Sequence, residues 1–179
     1  MKNLIACACI GVLLLSCNNE KTETVVAADT VVSAKPVMLA YTPSYSSSFE
    51  AANPELTAPV VKGSWKDWEN NTLDNMRDWV ADTIVAFHSD NTTVSGIDSL
   101  MARWKRGRAE YTSVIDTIQA VTSLHSTDKN ENWVLVWAKE INTKADGTID
   151  TAFVQETWRI NKDGKADMLL QYDRAKRKK

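Results

Sequence analysis

A chain of 179 residues is long enough for about one domain and its core. With 44% hydrophobic and 25% charged residues, it is neither collagen-like nor wholly disordered. Its formal charge of −2 gives no electrostatic reason to bind nucleic acid, and no apolar run reaches the roughly 18 residues of a membrane span.

Lys2 precedes an apolar stretch over residues 4–15, the pattern of a secretory signal. The stretch ends in Leu14-Leu15-Ser16-Cys17. That string resembles the bacterial lipobox. The resemblance implies cleavage before Cys17, with a thioether-linked diacylglycerol on its sulfur and an acyl chain on its nitrogen. Several acyl chains anchor a protein stably where one does so marginally. The implied partner is the lipid bilayer, and Asn18 in place of Asp favours the outer membrane. Cys7 and Cys9 leave with residues 1–16 and lipid blocks Cys17, so no disulfide framework is expected. An ordinary secretory signal with chance cysteines is the alternative.

Residues 18–52 are rich in Ser, Thr, Ala and Val without sustained periodicity, and read as a flexible tether. None of the seven tryptophans precedes Trp65, so the core begins late. Asn53-Pro54-Glu55 is a helix start, an N-cap followed by Pro. Leu56, Val60 or Val61, Trp65 and Trp68 then recur at helical spacing. Ser64 with Asp67 offers a second start, and Pro59 and Gly63 favour it. Thr72 can cap a short helix carrying Leu73, Met76, Trp79 and Val80. Residues 83–88 are β-rich. Ile97, Leu100, Met101, Trp104 and Tyr111 mark one face of a third helix. From residue 114 the period is two, giving strands over residues 114–125, 133–141, 152–160 and 166–173. Asn161-Lys162-Asp163-Gly164 reads as a compact hairpin turn. Residues 174–179 form a basic tail.

That turn sets a register. With Ile160 opposite Ala166, Trp158 faces Met168, Glu156 faces Leu170 and Val154 faces Tyr172. One face is then apolar except for Glu156, and such alternation marks it as buried. A buried carboxylate is costly unless paired, hydrated or protonated. Glu156 is therefore the leading site candidate. The alternatives are a place at the mouth of the sheet or a partner in a buried Arg or Lys.

Helices, a strand, a further helix and a run of strands make an α+β pattern. Residues 53–173 resemble the NTF2-like superfamily, in its SnoaL-like branch. The resemblance is carried by Trp65-Lys66-Asp67-Trp68, Ala81-Asp82-Thr83-Ile84, Gly96-Ile97-Asp98, the stretch from Thr157-Trp158-Arg159-Ile160 through the turn, and Gln171-Tyr172. It implies a cone: a curved antiparallel β-sheet wrapped around about three N-terminal helices. It also implies an apolar pocket and a homodimer through the open sheet face. Relatives include cyclases, isomerases and dehydratases as well as members that only bind or scaffold.

The function expected is a membrane-anchored binding module for a small apolar or aromatic ligand. Trp104, Trp137, Trp158 and Tyr172 are the pocket candidates; each also suits plain core packing. The other expectation is an isomerase, cyclase or dehydratase with Glu156 as base and His88 or Tyr172 as partner. A third is a non-catalytic assembly module. Neither His88 nor His125 has metal-ligand spacing, and no Gly-rich phosphate loop is present, so no metal or cofactor is expected. Arg103, Lys105, Arg106 and Arg108 read as a solvated basic face.

Overall fold

A computed structural model describes residues 39–174. The lipobox with Cys17, most of the tether and the tail beyond Arg174 lie outside the described residues. Among the described residues, no helix is long and apolar enough to cross a membrane. The architecture below belongs to the compact unit that begins at Tyr41.

The first helical segment, α1, covers residues 54–70. Its start matches the sequence: the Asn53 side chain accepts from the Glu55 N–H at 3.0 Å, with Pro54 in the first turn. The second start at Ser64 is not used. Ser64 lies inside a π-helical stretch, Val61–Lys66, between α-helical turns Thr57–Val60 and Asp67–Asn70. Asn71, in the left-handed conformation, ends the segment. Gly63 has a packing role: a Cβ there would lie 1.9 Å from Trp79 Nε1.

The second segment, α2, covers residues 73–79, a 3-10 turn Leu73–Asn75 followed by Met76–Trp79. Thr72 does not cap it. Its hydroxyl donates instead to Asp67 Oδ1 at 2.7 Å, beside the Asn75 amide at 3.0 Å. Strand β2 (Val80–Phe87) forms a hairpin with β3 (Thr93–Ser95), and α3 (Ile97–Arg108) follows. Tyr111, expected on this helix, opens β4 (Tyr111–Ser126). Strands β5 (Glu131–Lys144), β6 (Ile149–Ile160) and β7 (Ala166–Asp173) complete the run.

With β1 (Phe49–Ala51), the seven strands form one sheet in the order β1-β4-β5-β6-β7-β2-β3. The pairs are antiparallel except β2 with β7, which is parallel. The helices cover the inner face. There Trp79, Trp158, Trp104 and Trp68 make successive edge-to-face contacts, with centroids 4.9, 6.0 and 6.1 Å apart. Such contacts add to the area they bury.

Two expectations are corrected. The tether does not extend to residue 52. Tyr45 donates to Glu131 and packs edge-on against Trp133, Ser46 donates to Asp128 at 2.6 Å, and β1 pairs with β4 from Phe49 opposite Ser126. The serines that suggested flexibility are held by the β4–β5 turn. The final hairpin also departs from simple alternation. Ile160 does face Ala166, but Arg159 faces Met168, leaving Asp167 as a bulge residue. Beyond it every pairing shifts by one: Leu169 faces Trp158 and Gln171 faces Glu156. Met168, Leu170 and Tyr172 therefore belong to the outer face, and Tyr172 is 58% exposed.

Gly63→Ala is expected to lower stability by about 3 kcal/mol, since the indole of Trp79 must move out of a packed core. A urea midpoint equal to that of the wild type would show that Trp79 has room.

Candidate functional site

The π-helical stretch of α1, the inner wall of α3 and the inner face of β5, β6 and β7 border a half-open cavity of about 530 Å³. Ser64, Trp65 and Trp68 line it from α1 and Trp104 from α3. Glu140, Asn142, Ala152, Val154, Glu156 and Gln171 line it from the sheet.

Glu156 is 3% exposed. Three donors meet it: the Ser64 hydroxyl on Oε2 at 2.5 Å, the Trp158 indole N–H on Oε2 at 3.0 Å, and the Gln171 amide N–H on Oε1 at 3.1 Å. Burial pushes its carboxyl above the usual range, against the pull of these donors; the charge of Glu140 adds to the rise.

Gln171 joins Glu156 to His88. Its amino group faces Glu156, so its carbonyl oxygen faces His88 Nδ1, 3.1 Å away. Nδ1 then carries the proton and Nε2 the lone pair. Nε2 is buried and has no partner. Burial lowers the His88 pKa and Arg103 adds to this, while Gln171 and Asp90 oppose it. His88 and Glu156 thus act through an amide bridge rather than in direct contact.

Acidic groups gather at another part of the sheet. Asp116 on β4 faces Glu140 on β5, which faces Ala152 on β6. One inward row further along, Asn142 faces Asp150. Asn142 donates to Glu140 at 2.5 Å. Burial raises Glu140, while Asn142, the nearby Trp68 indole N–H and Arg108 favour its ionised form. Both Asp116 oxygens are buried without a partner. Burial, joined by the charges of Glu140, Glu69 and Glu156 and opposed by Lys66, pushes Asp116 up to about 8.

Arg108 is not part of a solvated face. It is buried and donates to the carbonyls of Trp68 at 2.7 Å, Tyr111 at 2.8 Å and Glu69 at 3.1 Å. It closes the end of α1 against the start of β4.

Of the residues singled out in the sequence, Glu156, His88 and Trp104 border the cavity, and so do Arg103, Arg106 and Tyr111. Trp158 is fully buried behind it and binds Glu156. Trp137 and Tyr172 do not line it. They face each other across Gln155 on the outer surface, along a second hollow of about 490 Å³. His125 pairs with Asn132 at 2.9 Å, at the β4–β5 end of the sheet. Sequence reasoning missed Ser64, Gln171, Asp116, Glu140 and Asn142. The inward row of β5 carried a signal: Val134, Val136 and Ala138 are followed by Glu140 and Asn142. Among the described residues, no His, Cys, Asp and Glu group has an arrangement that could hold a metal ion.

No protein-family model matches the sequence, and no curated protein matches it significantly. Solved structures do match in shape. An NTF2-like protein of unknown function from Exiguobacterium sp. 255-15 superposes with a TM-score of 0.55 at 14% identity, over 65% of this chain and 99% of its own. The fold is NTF2-like. A protein from Jannaschia sp. CCS1 described as a SnoaL-like polyketide cyclase has the same cone at 13% identity and a TM-score of 0.55, over 66% of this chain and 83% of its own. So does an LEH-like epoxide hydrolase from M. tuberculosis, at 12% identity and 0.55, over 68% of this chain and 84% of its own. At such identities the likeness establishes the NTF2-like cone and leaves its chemistry to the residues inside.

Asp116 makes that interior sensitive to pH. Its folded pKa of about 8 lies above the ordinary 3.8, so the stability it contributes is complete below 3.8 and is lost as pH rises through 8. Asp116→Asn stays neutral and escapes that loss. The variant is expected to gain urea resistance over the wild type progressively from pH 4 to pH 8.5, with little difference at pH 4. A difference independent of pH would place Asp116 in solvent.

Proposed function

We propose that the protein is an exported, lipid-anchored binding protein whose cone takes a small ligand with an aromatic or apolar body. The observation that carries the reading is the cavity itself. Trp65, Trp68 and Trp104 wall it, and two of its buried polar side chains, His88 and Asn142, each keep an atom without a partner. Sites of this kind combine apolar walls with a few placed polar groups. The neighbours in shape are consistent with either binding or cyclase-type chemistry. The anchor rests on Leu14-Leu15-Ser16-Cys17. A homodimer through the outer sheet face is part of the same proposal, with Ile115 and Tyr172 as exposed apolar groups to be covered.

The second reading is a proton-transfer enzyme of the isomerase or cyclase kind. It is favoured by one observation, the neutral His88 whose Nε2 lone pair has no partner. In that reading His88 is the base, and Glu156, enclosed by three donors, is a positioning residue.

Native mass spectrometry of the mature protein is expected to show a retained small-molecule mass. Ala152→Trp, which fills the cavity, is expected to lose it. A bare mass for both proteins counts against the ligand reading. Radioactive palmitate should label the wild type and not Cys17→Ala; equal labelling would remove the anchor.

A further inference from the structure

We propose that the cavity binds an organic cation, an amine or guanidine, with its charged end against Glu140 and Asn142, Asp116 beside them, and its body on the indoles of α1 and α3. This rests on the ligand-binding reading above and names the class of ligand.

The inner row of β5 changes character along its length. Val134, Val136 and Ala138 are buried and apolar, then Glu140 and Asn142 follow on the same face. Asp116 joins them from β4. Among the described residues, the cations near this end are committed elsewhere or lie at the rim, where Arg106 borders the cavity as an exposed residue. The buried Arg108 gives its N–H groups to three backbone carbonyls, and Lys66 is paired with Glu69 at 2.8 Å. On the α3 side, Arg103 is held by Asp90 at 2.8 Å.

An independent observation comes from Asn142. It is 4% exposed and lines the cavity, its amino group is used on Glu140, and its Oδ1 has no partner. Oδ1 of Asn142 is an acceptor. What Asn142 lacks is therefore a donor. An anion cannot supply one, and an ammonium or guanidinium supplies several together with the opposite charge.

Space and walls fit the same class. Ala152, across from Glu140 on β6, has only a methyl group and leaves room in front of the carboxylate. Trp68, Trp104 and Tyr111 border the cavity and offer aromatic faces, which attract organic cations. A bare metal ion would find no ligand group arranged for it among the described residues.

Binding should also release protons. Asp116, raised by burial and by Glu140, Glu69 and Glu156 against Lys66, is largely protonated at neutral pH. A cation beside it favours the carboxylate.

The test is isothermal titration of the full mature protein in detergent micelles with 2-phenylethylamine and its neutral twin 2-phenylethanol, in two buffers of different ionisation enthalpy. The amine is expected to bind about tenfold more tightly than the alcohol, with proton release. Glu140→Gln should bring the two within about twofold, and Asn142→Ala should weaken the amine alone. Thermal melting of each variant shows that it is folded. Equal affinity for amine and alcohol in the wild type would overturn the cation and leave the ligand reading standing. Binding of neither would also overturn it, and the retained mass of the native protein then decides the ligand reading by itself. Competition by calcium at similar concentrations would reassign the site to an inorganic ion and overturn the proposal.

Discussion

Much of the structure is arranged around one buried carboxylate. A buried Glu is stable only if donors surround it or a proton neutralises it. The donors on Glu156 come from three different elements: Ser64 from α1, Trp158 from its own strand and Gln171 from β7. Together they fix where α1 lies on the sheet. The wide π turn accommodates this contact. π turns occur often at functional sites, and this one bears Ser64, whose hydroxyl reaches a strand 92 residues away in sequence. Gly63 lets the indole of Trp79 approach the helix backbone, and Trp79 in turn packs edge-on against Trp158. The tryptophan row and the carboxylate are thus one construction, since the Trp158 ring fills the core while its N–H serves Glu156.

From that anchor the polar network runs outward. Gln171 hands the orientation of Glu156 on to His88, fixing which ring nitrogen keeps its lone pair. In the other direction, Glu140 and Asp116 add negative charge to a region where burial already disfavours it. These groups lower stability at neutral pH. A sequence selected for stability alone would place Val or Leu on these inward positions, as it does on the preceding residues of β5. Local rules are broken mostly where function requires it, and the break here coincides with the cavity.

The fold was largely legible because its signals are periodic. Alternation from residue 114 onward located four strands, and Asn161–Gly164 located the last turn. Glu156 stood out because strict alternation puts a charge on an otherwise apolar face. What alternation cannot show is a bulge. Asp167 adds one residue to β7 and turns Gln171 inward and Tyr172 outward, so the partner of Glu156 was misread while Glu156 was not. The same limit applies to Ser64. Its spacing to Asp67 imitates a capping box, and only tertiary packing reveals that the helix continues through it. Tyr45 and Ser46 looked like tether because their partners, Glu131 and Asp128, lie about eighty residues on. Arg108 sits in a basic run, and only the helix end beside it shows that it is buried.

The cone places a cavity between helices and sheet, and the side chains at a handful of inward positions decide what enters it. Neighbours at 12–14% identity share the first and carry no information on the second. In this chain the inward positions divide into two chemistries. Toward β7 the cavity meets a histidine whose proton is held on the Gln171 side, leaving a lone pair. Toward β4 it meets Glu140 and the amide of Asn142, whose Oδ1 lacks a donor. A neutral apolar ligand would pack on the indole rings and leave both polar regions as they are. Leaving buried polar atoms unmatched costs roughly 1–3 kcal/mol each, so affinity rises most for a ligand that carries N–H groups to the acidic end. The polar residues of the wall, rather than the aromatic ones, are therefore where selectivity among ligands of similar size originates.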